Sequence, residues 1–332
     1  MIRKMVLLVA FALVVAACGS DSTSDTSPPE TLTTTSRADT TTTVPETTTT
    51  TEAPDDGFPV TIDAPNGPVT IEERPERVVS ISPSSTEVLF AVGAGEQVVA
   101  VDDQSNYPPE APVTDLSGFT PNVEAIAAFE PDLVLLSFDP GDIIAGLEAI
   151  GIPVILHGAP LNVAEAYTQW EQVGAATGNV AGAASVVADV TGRIDAAYSE
   201  LPAGSDELSY YWELDPTFFT VTSSTFIGDL LSGAQMANIA DEADPDGFGY
   251  PQLTSEYIVG SDPSLIALAD TKCCGQTVET VGERPGWSTM TAVQRGSILE
   301  LDDDIASRWG PRIAELVEAV VAGISETVMA DA

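Results

Sequence analysis

Basic residues, histidine and cysteine are all scarce in this chain. Lys and Arg number 11 against 51 Asp and Glu, giving a formal net charge of −40. Nucleic-acid binding needs a basic footprint, so this balance excludes that class. The acidity itself reads as a solvated surface and speaks to solubility before specificity. His157 is the single histidine, which excludes a multi-histidine metal centre. It closes a strand-like run and reads as structural or solvent-facing, with a metal or haem ligand as the alternative. The patterns H-E-x-x-H, G-x-S-x-G and G-x-x-x-x-G-K-[ST] are absent, so nothing specific marks an enzyme. The Asp302-Asp303-Asp304 run reads as a strand-end turn, because no calcium-loop spacing follows it. No metal site is expected.

The three cysteines divide by position. Cys18 follows Val15-Ala16-Ala17, behind the basic Arg3-Lys4 start and an apolar run from Met5. The run is shorter than the about 20 apolar residues of a membrane span and has the form of a signal peptide over residues 1–17. Small residues before Cys18 resemble a bacterial lipobox, which implies lipidation at Cys18 and an anchor on the outer face of the cell membrane. Residues 18–57 are rich in Thr, Ser, Pro and acids and cannot bury enough apolar surface to order themselves. They read as a stalk, about 35 Å end to end as a flexible coil. Cys273 and Cys274 are adjacent. They form either a vicinal disulfide or two free thiols in a turn. Either way they read as a local turn element apart from the cargo site.

From Phe58 the chain has an α/β rhythm. Strand-like runs occur at Val78–Ile81, Val98–Val101, Leu133–Leu136 and Pro153–Leu156, then at Leu208–Leu214, Phe218–Thr222, Leu265–Leu268 and Ile298–Leu301. Apolar strands alternating with helices argue for parallel sheets. A weak repeat joins the halves. Ser84-Ser85-Thr86 and a helical run to Gly93-Ala94 are echoed by Ser223-Ser224-Thr225 and a run to Gly233-Ala234. Glu124 lies seven residues before Pro131, and Glu256 seven before Pro263, with a strand opening after each proline. The expected architecture is α/β: two Rossmann-like lobes with parallel sheets, at 58–160 and 204–332, joined by interlobe helices over 161–203. The second of these would be about 30 Å long and stiff.

Several stretches in fixed order carry a family resemblance. They are Arg77–Glu87, Asn106-Tyr107-Pro108-Pro109, Asn122-Val123-Glu124 with Pro131-Asp132-Leu133-Val134, Tyr250-Pro251-Gln252, and Ser307-Arg308-Trp309-Gly310-Pro311-Arg312. The chain from about Arg77 to Gly323 resembles the cobalamin and ferric-siderophore binding proteins of ABC importers. The resemblance implies a cargo cleft between two lobes, little hinge closure, and an ABC permease with its ATPase as partners of a monomer. It also implies that Glu124 and Glu256 dock into the permease; as helix-start acids they would also favour the helix dipole. The cleft should lie at the strand ends. That places Ser82, Pro83, Ser84, Tyr107 and Phe119 in it from the first lobe. Trp212, Glu213, Phe218, Phe248, Tyr250, Arg308 and Trp309 would line it from the second. A corrinoid, haem or ferric siderophore is the implied cargo, and the shortage of cations tips this towards a corrinoid. No catalytic or covalent cofactor is expected. An adhesion or scaffold protein, or an enzyme on the same fold, is the alternative.

Overall fold

The computed structural model describes residues 57–331. The expectations for the signal peptide, for Cys18 and for the stalk up to residue 56 lie outside the described residues. The described chain opens with an antiparallel hairpin, β1 (Val60–Ala64) and β2 (Gly67–Ile71). Ile62, Ala64, Val69 and Ile71 alternate inward along it. Pro65-Asn66 makes the turn, and Gly67, which opens β2 opposite Ala64, has a φ of +108° that favours glycine.

The first lobe runs β3 (Val78–Ile81), α1 (Pro83–Ala91), β4 (Val98–Val101), α2 (Val123–Ala127), β5 (Leu133–Leu136), α3 (Ile143–Glu148) and β6 (Val154–Leu156). Two helices follow, α4 (Val163–Ala176) and α5 (Val180–Ser199). The second lobe contains β7 (Ser209–Glu213), α6 (Phe226–Leu231), β8 (Ala237–Asn238), α7 (Ser255–Ser261) and β9 (Leu265–Leu268). It continues with α8 (Thr271–Cys274), α9 (Val278–Gly282), α10 (Thr291–Arg295), β10 (Ile298–Glu300), α11 (Asp303–Ala306) and α12 (Ile313–Asp331).

Both four-stranded sheets are parallel and share one topology, β4-β3-β5-β6 and β8-β7-β9-β10. The repeat extends to single residues. Asn122 and Thr254 cap α2 and α7, with side-chain oxygens accepting from Ala125 and Tyr257 N–H groups. Glu124 and Glu256 take the second helical position, and Ile126 and Ile258 are both fully buried. Glu130 and Asp262, each just before the proline, both have positive φ, at 49° and 46°. The Ser-Ser-Thr echo holds less well. Ser82 caps α1, ahead of its triplet, whereas Thr225 at the end of the second triplet caps α6.

Strand residues alternate between two layers. Val78, Leu133, Leu135, Tyr210, Trp212, Leu265 and Ala267 face one continuous core that also holds residues of α1, α4, α5 and α12. Val79, Ile81, Val134 and Leu136 face a separate cluster in the first lobe. Tyr211, Ile266 and Leu268 do the same in the second. The central core therefore belongs to both lobes. Gly182 lets α5 approach the end of α1, since a Cβ there would sit 2.0 Å from the Val92 carbonyl oxygen. The expected strand at Phe218–Thr222 does not join the sheet. Phe218 has φ +70°, and the segment pairs locally with residues 249–253 through Thr220 N–H to Pro251, Thr222 N–H to Gly249 and Leu253 N–H to Phe218.

A buried ion network seals the seam between lobes. Glu87 on α1 accepts from Arg308 Nη1 at 3.0 Å and from Arg312 Nε at 3.1 Å, and both arginines precede α12. Arg308 also donates to Asn106 Oδ1, the Gln104 carbonyl and Asp304 Oδ1. Gly310 permits this approach, because a Cβ there would meet Glu87 Oε2 at 2.7 Å. Replacing Glu87 with Gln removes the charge that both guanidiniums face. We expect a loss of about 3 kcal/mol in urea unfolding, the cost of breaking a buried pair; a loss below about 1 kcal/mol would contradict this role.

Candidate functional site

A cavity of about 430 Å³ opens between the lobes. The first lobe supplies Ile81, Ser82, Pro83, Ser84, Asp102, Gln104, Gly118, Phe119, Ser137 and Phe138. The second supplies Leu214, Ala269, Cys273, Asp303, Asp304, Ser307, Arg308 and Trp309. Ser82, Leu214 and Ala269 directly follow the ends of β3, β7 and β9, so the cavity lies where parallel α/β sheets bind ligands.

Of the expected residues, Ser82, Ser84, Phe119, Arg308 and Trp309 come together here, with Pro83. Their roles differ. Ser82 Oγ caps α1, accepting from Ser85 N–H at 3.3 Å. Ser84 Oγ accepts from the Trp309 N–H, and the Trp309 carbonyl accepts from Trp170 Nε1. These contacts form the floor of the seam. Phe119 and Phe138 are the open apolar groups, at 68% and 42% exposure.

The other expectations are corrected. Trp212 is fully buried in the shared core. Glu213 is also fully buried, its oxygens held by Arg284 Nη1 and Nη2 at 2.6 Å each. Both lie inside β7, where side chains stand off the sheet faces and not off the strand end. Phe218 stacks on Trp287, 5.7 Å between centroids, beneath the Arg284 guanidinium. Tyr107 lies under the Arg312 guanidinium, 4.2 Å from the ring, and lines a separate groove of about 600 Å³ with Phe90, Val186 and Arg193. Phe248 and Tyr250 are exposed and pack edge to face at 6.3 Å, on the loop that pairs with residues 218–222. They are not part of the cavity lining.

Asp102, Gln104, Phe138, Leu214, Ala269, Cys273, Asp303 and Ser307 are among the wall residues that were not expected. Each follows a strand end or lies in the loop or short helix (α8, α11) beyond one, and strand-end position was the signal that could have found them. Burial raises the Asp102 carboxyl above the usual range, against hydrogen bonds from Gln104 N–H and Ser105 Oγ. In the second lobe, burial and then the Glu213 charge push the Asp270 carboxyl up to about 7. Cys273 and Cys274 are joined as a disulfide. Cys273 is on the cavity wall, which the turn was not expected to reach.

Glu124 and Glu256 are exposed, one on each lobe. In a parallel β–α–β unit the helix runs back along the sheet, so its N-terminus lies at the strand C-terminal side. Both carboxylates therefore flank the side on which the cleft opens. Among the described residues no group of three or more His, Cys, Asp or Glu could hold a metal, and no helix is long and apolar enough to cross a membrane.

Two like α/β lobes around a strand-end cleft define a two-lobed solute-binding protein. The periplasmic binding protein family matches residues 78–305, and the chain belongs to that family. An "uncharacterized ABC transporter substrate-binding lipoprotein YvrC" of Bacillus subtilis is 32% identical, over 80% of this chain and 86% of its own. A cobalamin-binding protein of Halobacterium salinarum is 30% identical, over 78% of this chain and 72% of its own. The solved structure of a possible iron-binding, periplasmic solute-binding protein from Staphylococcus epidermidis superposes with a TM-score of 0.66 at 24% identity, over 76% of this chain and 99% of its own.

His157 does not enter the cleft. It is buried against Gln172, with Nε2 2.8 Å from Oε1, and the Gln172 amide donates to the Asp63 carbonyl. Nε2 therefore carries the proton of a neutral ring. Burial lowers its pKa from 6.5 to about 4. The unfolded chain then binds the extra proton between those values. The stability contribution is full above pH 6.5, falls as pH drops towards 4, and levels below. Relative to His157→Gln, the parent should lose about 3 kcal/mol between pH 7 and pH 4 in denaturant titrations. Parallel pH profiles would show that the ring is not held neutral.

Proposed function

We propose that this chain captures a neutral or cationic metal chelate, a corrinoid first, and delivers it to an ABC permease from a lipid anchor at Cys18. One observation carries the choice of cargo. Arg308 is the one basic residue in the cavity lining, and Glu87 and Asp304 already hold it. Asp102, Asp303 and Asp304 share the same wall. A polyanionic ferric siderophore entering there would meet carboxylates and no free cation. The lining also holds no His, Tyr or Met, the usual neutral or phenolate partners of haem iron. A chelate that brings its own complete coordination sphere suits it better. Phe119, Phe138 and Trp309 offer flat apolar faces, and Gln104 and Ser307 offer amide and hydroxyl partners. A corrinoid is larger than this cavity and would be gripped along one edge. The name of the Halobacterium relative supports that cargo. Transport, not catalysis, is the work of this family, and we extend that to this chain.

Binding is tested by thermal shift and calorimetry with cyanocobalamin, a cationic ferric trihydroxamate, an anionic ferric tricatecholate and haem. Cyanocobalamin or the trihydroxamate should bind, adding about 2.7 kcal/mol at 100-fold its Kd. Binding of the tricatecholate or haem alone would overturn the charge argument.

Delivery is tested separately. Glu124→Ala with Glu256→Ala should leave cargo affinity and melting temperature unchanged and sharply reduce uptake by the reconstituted importer, each single change costing less. Parallel loss of binding and uptake would remove the docking role.

A further inference from the structure

The vicinal cysteine pair lies on the second-lobe wall of the cleft, and its surroundings define what it can offer there. Its backbone donors are already satisfied. Cys273 N–H donates to Asp303 Oδ2 at 2.7 Å, and Lys272 N–H to both Asp303 oxygens at 3.0 Å. Cys274 N–H donates to the Asp270 carbonyl, and Gly275 N–H to that of Thr271. Thr271 Oγ1 bonds the Leu301 carbonyl and Asp303. On the far side the Gln276 amide donates to the Cys274 carbonyl at 3.3 Å and its Oε1 accepts from Arg284. The turn is thus stitched to the 301–304 loop in front and to the Glu213–Arg284 pair behind. Lys272 Nζ extends the first stitch to Asp302 and Asp304, and Asp304 holds Arg308 at the seam.

With those amides occupied, the side chain is what Cys273 has left to offer the cavity it lines. A disulfide has no S–H donor and is apolar and polarisable. Both cysteines are exposed. Cys273 shares the second-lobe wall with Leu214 and Ala269, and the first lobe supplies Phe119 and Phe138 to the same cavity. An exposed sulfur surface with no structural partner, beside apolar groups in a cleft, fits a ligand face better than solvent.

We infer that the Cys273–Cys274 disulfide is a contact surface for the cargo, packing its sulfur against an apolar or planar part of the bound chelate. The inference rests on the cleft's being the cargo site. It makes this turn a determinant of affinity and shape specificity, and it makes the oxidised form the binding-competent one.

The test uses the parent chain with cyanocobalamin and with a gallium(III) trihydroxamate. A dithiol reduces the bond by two electrons, giving two cysteine thiols and its own cyclic disulfide. Saturating chelate should slow this reduction at least tenfold, followed as alkylated thiol by mass spectrometry, because the sulfurs are covered. Cys273→Ser with Cys274→Ser should weaken binding about tenfold, the effect of losing a small buried apolar patch. An unchanged reduction rate in the saturated parent overturns the inference, whatever the variants do. So does a folded double variant with unchanged affinity. If the double variant fails to fold, the protection measurement decides alone. A parent that binds neither chelate overturns the reading of the cleft as well, so the two failures are distinct.

Discussion

The buried carboxylate of Glu87 is the constraint around which the two lobes are arranged. It is 3% exposed and would be prohibitively costly there without compensation. Arg308 and Arg312 supply that compensation from the other lobe, across more than two hundred residues of chain. Removing either side strands a charge, so the lobes cannot part without breaking the network. The continuous apolar core under α4, α5 and α12 adds to the same effect. Parting the lobes would mean breaking the ion network and opening the shared core together.

The same network decides the chemistry of the cleft. Basic residues are few, and most of those among the described residues have scaffold duties. Arg74 donates to the Thr177 carbonyl, and Arg77 to the Phe129 and Glu130 carbonyls just after α2. Arg193 pairs with Glu318, Arg284 with Glu213, and Lys272 with Asp302 and Asp304. A cation held by two carboxylates has little field left for a third anion. What the cavity has left to offer is apolar faces, amides and hydroxyls. The acidic composition, which on its own says nothing about cargo, acquires meaning once the positions of the few cations are known.

Much of this was legible from local pattern. The parallel strands, the long helix α5 and the glutamate–proline spacing follow from periodicity and turn chemistry, which act within a few residues. The β1–β2 hairpin was equally legible from Pro65-Asn66-Gly67 and the alternation around it, though no strand was assigned there. What the sequence could not show was which strong side chain finds which partner. Glu213 is held in the core by Arg284, 71 residues on, and the exposed Tyr107 ring is engaged by Arg312, over 200 residues on. Position in the strand matters as much. Trp212 and Leu214 are two residues apart, yet one is in the core and the other on the cleft wall, because the strand ends between them.

The repeat clarifies how a symmetric scaffold carries an asymmetric site. The two sheets share one strand order, and α2 and α7 match cap for cap, with Glu124 and Glu256 in one register. Features at matched positions point outward in the same way on both lobes, as a surface that meets a partner evenly would require. The cleft combines matched strand ends, Ser82 with Leu214 and Ser137 with Ala269, with unmatched loops and helix starts. Phe119 and Phe138 come from first-lobe loops, whereas the disulfide turn, the 302–304 acids and the Arg308 segment belong to the second. The sheets and the starts of α2 and α7 can therefore be held constant for assembly while the loops between them differ for binding. A change at the seam, by contrast, alters every loop that Glu87 and its arginines hold in place.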